Sequence, residues 1–170
     1  MGKDVKVYTT PVCPFCHRVK SYLDENKIKY VTMVHSVAYT AQEIAALVHM
    51  PGKGVAKTVL IKVEGKLAIS VLPASYKIDF DLLKKALKTD EVRLANEQEF
   101  KDKFPGCEVG AMPPFGNLYG METYVAASLV EDEEFAFSAG KHTELIRMQY
   151  RDFERLVNPV ILRFSSKRKV

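Results

Sequence analysis

The stretch from residue 105 to residue 120 constrains this chain most. It carries glycines at 106, 110, 116 and 120 and the pair Pro113-Pro114, and it shows neither the helical nor the strand period. Glycine lets main chain approach a ligand closely or take positive φ, and proline stiffens what lies between. A loop of this length inside a compact domain is usually functional. The segment GAMPPFG, 110–116, is therefore expected to wall a pocket for a small substrate. A second glycine turn, in GKHTELIR at 140–147, is its natural partner.

The rest of the chain reads as elements that would carry such loops. Alternation predicts a strand at 5–8, and a helix over 15–26 would bury Val19, Tyr22 and Leu23. A strand follows at 28–34. Thr40 with Glu43 forms a capping box for a helix over 41–49, which Pro51-Gly52 stops. The β-branched runs 55–63 and 66–72 flank Glu64-Gly65 and predict a hairpin. Asp79 caps a helix reaching Lys88, a short strand follows at 91–94, and Asn96 with Glu99 repeats the capping signature before a helix ending at Phe104. Strands are expected at 122–125, 134–138 and 142–148, then a helix over 150–157 that ends before Pro159. Short hairpin strands with interspersed helices define an α+β class, not a doubly wound sheet.

At 170 residues, 47% hydrophobic and 27% charged, the chain suits one domain. No apolar run could cross a bilayer, and the start MGKDVKVYTT lacks a secretory signal's core, so no membrane partner and a cytoplasmic location are expected. The formal charge of +4 and pI near 8.9 permit a polyanionic partner without requiring one. Part of that excess sits in SSKRKV, and the tail from Val160 is expected to fray because that stretch has no apolar face to bury. The four histidines are scattered without ligand spacing, so no metal is expected, and no phosphate-cradling glycine motif or G-x-S-x-G elbow is present. No cofactor and no DNA partner are expected.

Three segments together, Ala56-Lys57-Thr58, Gly110 to Pro114 and Gly140-Lys141-His142, resemble the YbaK and prolyl-tRNA synthetase-associated domain family. Its members hydrolyse mischarged aminoacyl-tRNA. The resemblance implies a mixed, barrel-like sheet surrounded by helices over residues 22–159, with a basic tail at 160–170. It further implies that Lys57 lies near the terminal adenosine and its phosphate, while the glycine loop and the Gly140 turn close around the aminoacyl group. The implied catalytic set is Lys57, Gly110, Gly140 and His142. The implied substrate contacts are Tyr39, Lys53, Thr58, Met112, Pro113, Pro114, Phe115, Gly116, Lys141 and Thr143. The expected partner is the acceptor end of aminoacyl-tRNA, with an aminoacyl-tRNA synthetase as a further candidate. Taken singly, Lys57 could be an edge-strand lysine in solvent and His142 a structural histidine at a turn.

Residues 5–30, with Cys13-Pro14-Phe15-Cys16, resemble the opening strand, active-site turn and first helix of glutaredoxins. Residues 1–21 would then form a glutaredoxin-like start packed on the main domain. A helix N-terminus lowers a thiol pKa, which would make Cys13 the nucleophile and Cys16 the resolving thiol. The Thr-Val-Pro turn and Gly-Gly pair of a glutaredoxin are missing downstream. Two buried cysteines packing as small hydrophobes remain an alternative, and a zinc site would need two further ligands. Three functions therefore stand: a freestanding aminoacyl-tRNA deacylase, a dithiol oxidoreductase, and a tRNA- or nucleotide-binding module without catalysis.

Overall fold

The computed structural model describes residues 17–47, 49 and 54–167. The expected strand at 5–8 and the Cys13-Pro14-Phe15-Cys16 turn lie outside the described residues.

Helix α1 (His17–Glu25) buries Val19 and Leu23, four apart on one helical face. Strand β1 (Tyr30–Val34) leads to α2 (Ala41–Leu47). The α2 capping box is present: the Glu43 amide donates to Thr40 Oγ1 at 3.2 Å, and the Thr40 amide donates to Glu43 Oε2 at 3.1 Å. Strands β2 (Ala56–Val63) and β3 (Lys66–Pro73) form the expected antiparallel hairpin. Glu64 and Gly65 both take positive φ, 48° and 79°, the requirement of a type I′ turn whose twist suits the strands.

Strand β4 (Tyr76–Ile78) precedes α3 (Phe80–Leu87), whose first turn donates to the Asp79 carboxylate and whose end is closed by Lys88 in the left-handed region. Strand β5 (Val92–Leu94) leads into α4 (Glu97–Phe100), with the Asn96–Glu99 capping box complete. This helix is shorter than expected, because residues 101–103 tighten into a 3-10 turn. The glycine–proline stretch is irregular apart from a 3-10 turn at Gly116–Tyr119. Strand β6 (Glu122–Ala126), a one-turn helix α5 (Ala127–Val130), β7 (Glu134–Ser138), β8 (Glu144–Gln149) and α6 (Tyr150–Val157) follow. Helix α6 turns Tyr150, Phe153 and Val157 inward.

Two strands complete the chain, β9 (Val160–Leu162) and β10 (Ser165–Lys167), and correct the expectation of a frayed segment from Val160. β9 pairs in parallel with β6, and β10 pairs antiparallel with β4. Main-chain pairing needs no apolar side chain, and Phe164 between the two strands is fully buried, which fixes their path.

The architecture is α+β with mixed pairing. A five-stranded sheet runs β5-β2-β3-β6-β9, a three-stranded sheet runs β1-β8-β7, and β10-β4 forms a small ribbon. β5-β2-β3 is antiparallel, whereas β3-β6 and β6-β9 are parallel. Among the described residues the two larger sheets meet at a parallel bridge, Val55 to Ala136. Among the described residues they do not close into a barrel, so the barrel-like expectation holds only as two sheets meeting at this seam. Aromatic rings fill the space between sheets and helices: Phe115 packs on Tyr22, Phe137 and Phe153, with ring centroids 6.2, 5.5 and 5.4 Å away. No helix among the described residues is long and apolar enough to cross a membrane.

Candidate functional site

The two glycine segments meet. The Glu108 amide donates to the Gly140 carbonyl and the Gly140 amide to the Ala111 carbonyl, both at 2.8 Å. Residues 108–111 and the turn at 140 are thus paired through main chain, as an irregular strand would be. Gly110 takes φ +88°, where side chains are strained, and a Cβ there would sit 3.4 Å from His142 Cε1. A glycine at 110 lets the loop lie against the imidazole.

His142 is held on several sides. Its amide donates to Glu108 Oε2 at 2.6 Å, and its Nε2 lies 2.8 Å from the Val109 carbonyl. A carbonyl can only accept, so Nε2 carries a hydrogen, and Nδ1 is the nitrogen left to face a ligand. The His142 carbonyl accepts from the Ala38 amide at 3.2 Å, and the Thr143 carbonyl accepts from the His35 amide at 3.0 Å. The Tyr39 ring leans on the imidazole, with centroids 5.1 Å apart at 54°. Thr143, expected in a strand, belongs to the turn, because β8 begins at Glu144. Lys141 and Thr143 are half-buried beside His142.

Lys57 sits second in β2, opposite Leu72. Its ammonium donates to the carbonyls of Ala74 and Tyr76 at 3.4 and 2.5 Å. An ammonium placed by main chain is a point charge of fixed position. Ala74 belongs to the same small buried cluster as Ala38, Val55 and Ala136, and the Ala38 amide is the one bonded to His142. Lys57 and His142 are thus tied to one cluster from two directions. Thr58 alternates to the other face of β2 and is half-buried.

The remaining candidates divide by burial. Met112, Pro113, Pro114, Phe115 and Gly116 are all buried. Met112 Sδ accepts from the Gly110 amide at 3.3 Å, and Phe115 has no exposed surface. Phe115 therefore anchors the loop in the aromatic core, while Gly110 and Tyr39 are exposed at its rim. Gly116 is confined: a Cβ there would meet Thr123 Oγ1 at 2.3 Å and the Met121 carbonyl oxygen at 2.6 Å. Lys53, Cys13 and Cys16 lie outside the described residues. Glu108, which fastens the His142 amide, is absent from the sequence expectations; a glutamate two residues before a glycine carries no local signal of a partner thirty-four residues away.

On this α+β frame a glycine-rich loop docks on the histidine turn, and Lys57 is fixed by the carbonyls of Ala74 and Tyr76. The chain belongs to the aminoacyl-tRNA editing domain family, whose model matches residues 35–156, well over half of its length. The glutaredoxin family model matches residues 5–51. The chain is similar in structure to the hypothetical protein APE2540, with 20% identity and a TM-score of 0.77, covering 87% of this chain and 99% of that one. It is similar also to a proposed trans-editing enzyme for prolyl tRNA synthetase, with 19% identity and a TM-score of 0.77, covering 92% and 99%. A third similar structure is a proposed signal transduction protein from Marinobacter aquaeolei VT8, with 19% identity and a TM-score of 0.69, covering 92% of this chain and 31% of that one. No curated protein matches the chain significantly. At these identities the structural likenesses establish the fold, and the family match establishes an aminoacyl-tRNA editing domain, a class that acts on aminoacyl-tRNA.

Proposed function

We propose that this protein is a freestanding aminoacyl-tRNA deacylase that acts in trans and removes a small, wrongly attached amino acid. The observation that carries the reading is the docking of the Gly110 loop on the His142 turn within the segment matched by the editing family. An aminoacyl ester is already activated, so the site must orient water and stabilise developing negative charge without supplying a strong nucleophile. Water oxygen adds to the ester carbonyl carbon, the bond from that carbon to the ribose oxygen breaks, and the ribose oxygen leaves with a proton as the terminal hydroxyl. Lys57 would provide the positive charge at the acceptor-end phosphate or the oxyanion. His142 would orient the water or ribose hydroxyl through Nδ1. Gly110 and Gly140 would hold the acyl group with main chain. Lys53 and Lys141 are the proposed phosphate contacts. A synthetase partner belongs to the same proposal, since one similar structure is described as acting for prolyl tRNA synthetase.

The test is ester loss from a panel of tRNAs carrying alanine, serine, cysteine or proline. Turnover of one or two small aminoacyl esters is expected, and binding without turnover of any would refute the reading. A second reading, a reversible dithiol at Cys13 and Cys16, is favoured by the glutaredoxin match over residues 5–51. Thiol titration across a glutathione series tests it: two thiols that never become protected would end it.

A further inference from the structure

We propose that the β4–β10 ribbon, with the basic residues that follow it, binds the phosphate backbone of the acceptor stem, beyond the ester-bearing end that the loop pocket takes. The inference rests on the editing reading and adds to it a surface outside the Gly110 and His142 loops.

The positive charge of the chain is gathered in one place. Residues 155–170 hold Arg155, Arg163, Lys167, Arg168 and Lys169 and no aspartate or glutamate, five of the 25 cationic residues against none of the 21 acidic ones. Everything before Arg155 is therefore close to neutral. Charge asymmetry of this kind is the footprint of a polyanionic partner.

The fold gives the segment a fixed position. β10 pairs with β4 in the register Ser165 to Ile78, Ser166 to Lys77 and Lys167 to Tyr76. The Asp79 amide donates to the Phe164 carbonyl at 2.7 Å, and Phe164 itself is buried, so the start of β10 is pinned. The strand then runs toward Tyr76, whose carbonyl accepts from the Lys57 ammonium. Lys167 is thus one strand spacing, about 4.8 Å, from the residue that holds Lys57. Arg163, Lys167 and, on the facing strand, Lys77 are exposed. Asp79, the acid that follows β4, is committed to the amides of Asp81 and Leu82 at the start of α3.

Main-chain pairing therefore holds a cationic strip against the lysine of the candidate site. One ammonium can meet one phosphate, whereas several beside Lys57 suit a ligand whose anionic groups repeat along a chain. Aminoacyl-tRNA is such a ligand, because its ester end continues directly into the phosphates of the acceptor strand. Paired RNA is held largely through backbone and shape, so this contact would be indifferent to base identity. An anionic membrane would satisfy the charge without using its position beside Lys57.

The experiment measures binding of an uncharged acceptor-stem minihelix across a salt series. It compares the wild type with the variant carrying Lys167→Gln, Arg168→Gln and Lys169→Gln. The control carries Lys29→Gln, Lys101→Gln and Lys103→Gln, which remove the same charge from exposed positions on other elements. The slope of log affinity against log salt should become shallower by about two to three in the first variant and stay unchanged in the control. Arg168→Gln with Lys169→Gln, which leaves β10 as it is, should account for most of that change. With an aminoacylated minihelix at low salt, KM should rise in the first variant while kcat holds. A slope and KM that the first variant leaves unchanged, or that the control changes equally, overturn the surface and leave deacylation standing. Weaker minihelix binding by the first variant, from a wild type that deacylates nothing, supports the surface and overturns the deacylase reading. A wild type that sediments with phosphatidylserine vesicles through these residues, and binds the minihelix equally with and without them, assigns the strip to a membrane and overturns the proposal.

Discussion

Replacing Gly116 by alanine should unseat the pocket loop from beneath. The new Cβ would stand 2.3 Å from Thr123 Oγ1 and 2.6 Å from the Met121 carbonyl oxygen, both far inside contact distance. Neither neighbour is a flexible side-chain end, because Thr123 is buried and the Met121 atom is main chain. The Met121 amide also donates to the Gly116 carbonyl at 2.9 Å, so movement apart stretches that bond. Overpacking costs about 1–3 kcal/mol, a weakened hydrogen bond costs about 1, and the stiffer unfolded chain offsets about 0.4–1. The net of roughly 1–3.6 kcal/mol corresponds to a fall in Tm of about 2–14 °C for a domain of this size. Gly120→Ala is the control: its Cβ would meet nothing within 4 Å, leaving only left-handed strain, about 1 kcal/mol and about 2–4 °C. Thermal melts decide, with Thr123→Ala as the second arm of a double-mutant cycle. Thr123→Ala should recover part of the Gly116→Ala loss and not all, since the Met121 oxygen remains. Equal melting of Gly116→Ala and Gly120→Ala, or no coupling to Thr123, would refute the steric argument.

Lys57→Ala should lower deacylation at least about a hundredfold while the melting temperature falls only a few degrees, and Lys57→Arg should not restore the rate, because a planar fork does not replace a point charge; near-normal turnover with an authentic substrate would remove Lys57 from the site. Glu99 accepts from Arg93, the Asn96 amide and Lys62, partners that hold its carboxyl well below the usual range, Arg93 foremost. Its stabilising contribution is present above the unfolded carboxylate pKa of about 4.3 and is lost as pH falls from there toward the lower folded value. Melts from pH 6 down to roughly 2 should show a shallower acid decline for Glu99→Gln than for the wild type, and parallel curves would contradict this. Tyr150 is buried with a hydroxyl that meets no hydrogen-bond partner among the described residues, and burial, with Glu154 adding to it, pushes its pKa upward. Tyr150→Phe should therefore leave Tm unchanged or raise it by a few degrees; a fall of more than about 5 °C would mean that the hydroxyl is satisfied after all.

Where local chemistry specifies structure, the sequence was readable. Capping signatures at Thr40/Glu43, Asp79 and Asn96/Glu99 each mark a helix start, and the Glu64-Gly65 turn fixes the hairpin. Strands β4, β9 and β10 were not marked: each is three residues long and pairs with a segment far along the chain, although β5, equally short, was read from its apolar residues. The site divides the same way. Gly110, Gly140 and His142 could be singled out from glycine placement and the family resemblance; in the fold, Gly140 pairs by main chain with Glu108 and Ala111 on either side of Gly110, and the His142 imidazole meets the Val109 carbonyl. That Phe115 serves as a core anchor, and that Glu108 fastens His142, depends on contacts across the molecule that no window of sequence contains.

The central claim is that the pocket of Gly110, His142 and Lys57 cleaves aminoacyl esters independently of the thiols upstream. The most direct measurement is the rate of ester loss from alanyl-, seryl-, cysteinyl- and prolyl-tRNA with the wild type and with the variant carrying Cys13→Ser and Cys16→Ser. Both proteins should release the same small amino acid at similar rates under reducing conditions. Loss of turnover in the cysteine variant, or no turnover by either protein on any of these esters, would contradict the account.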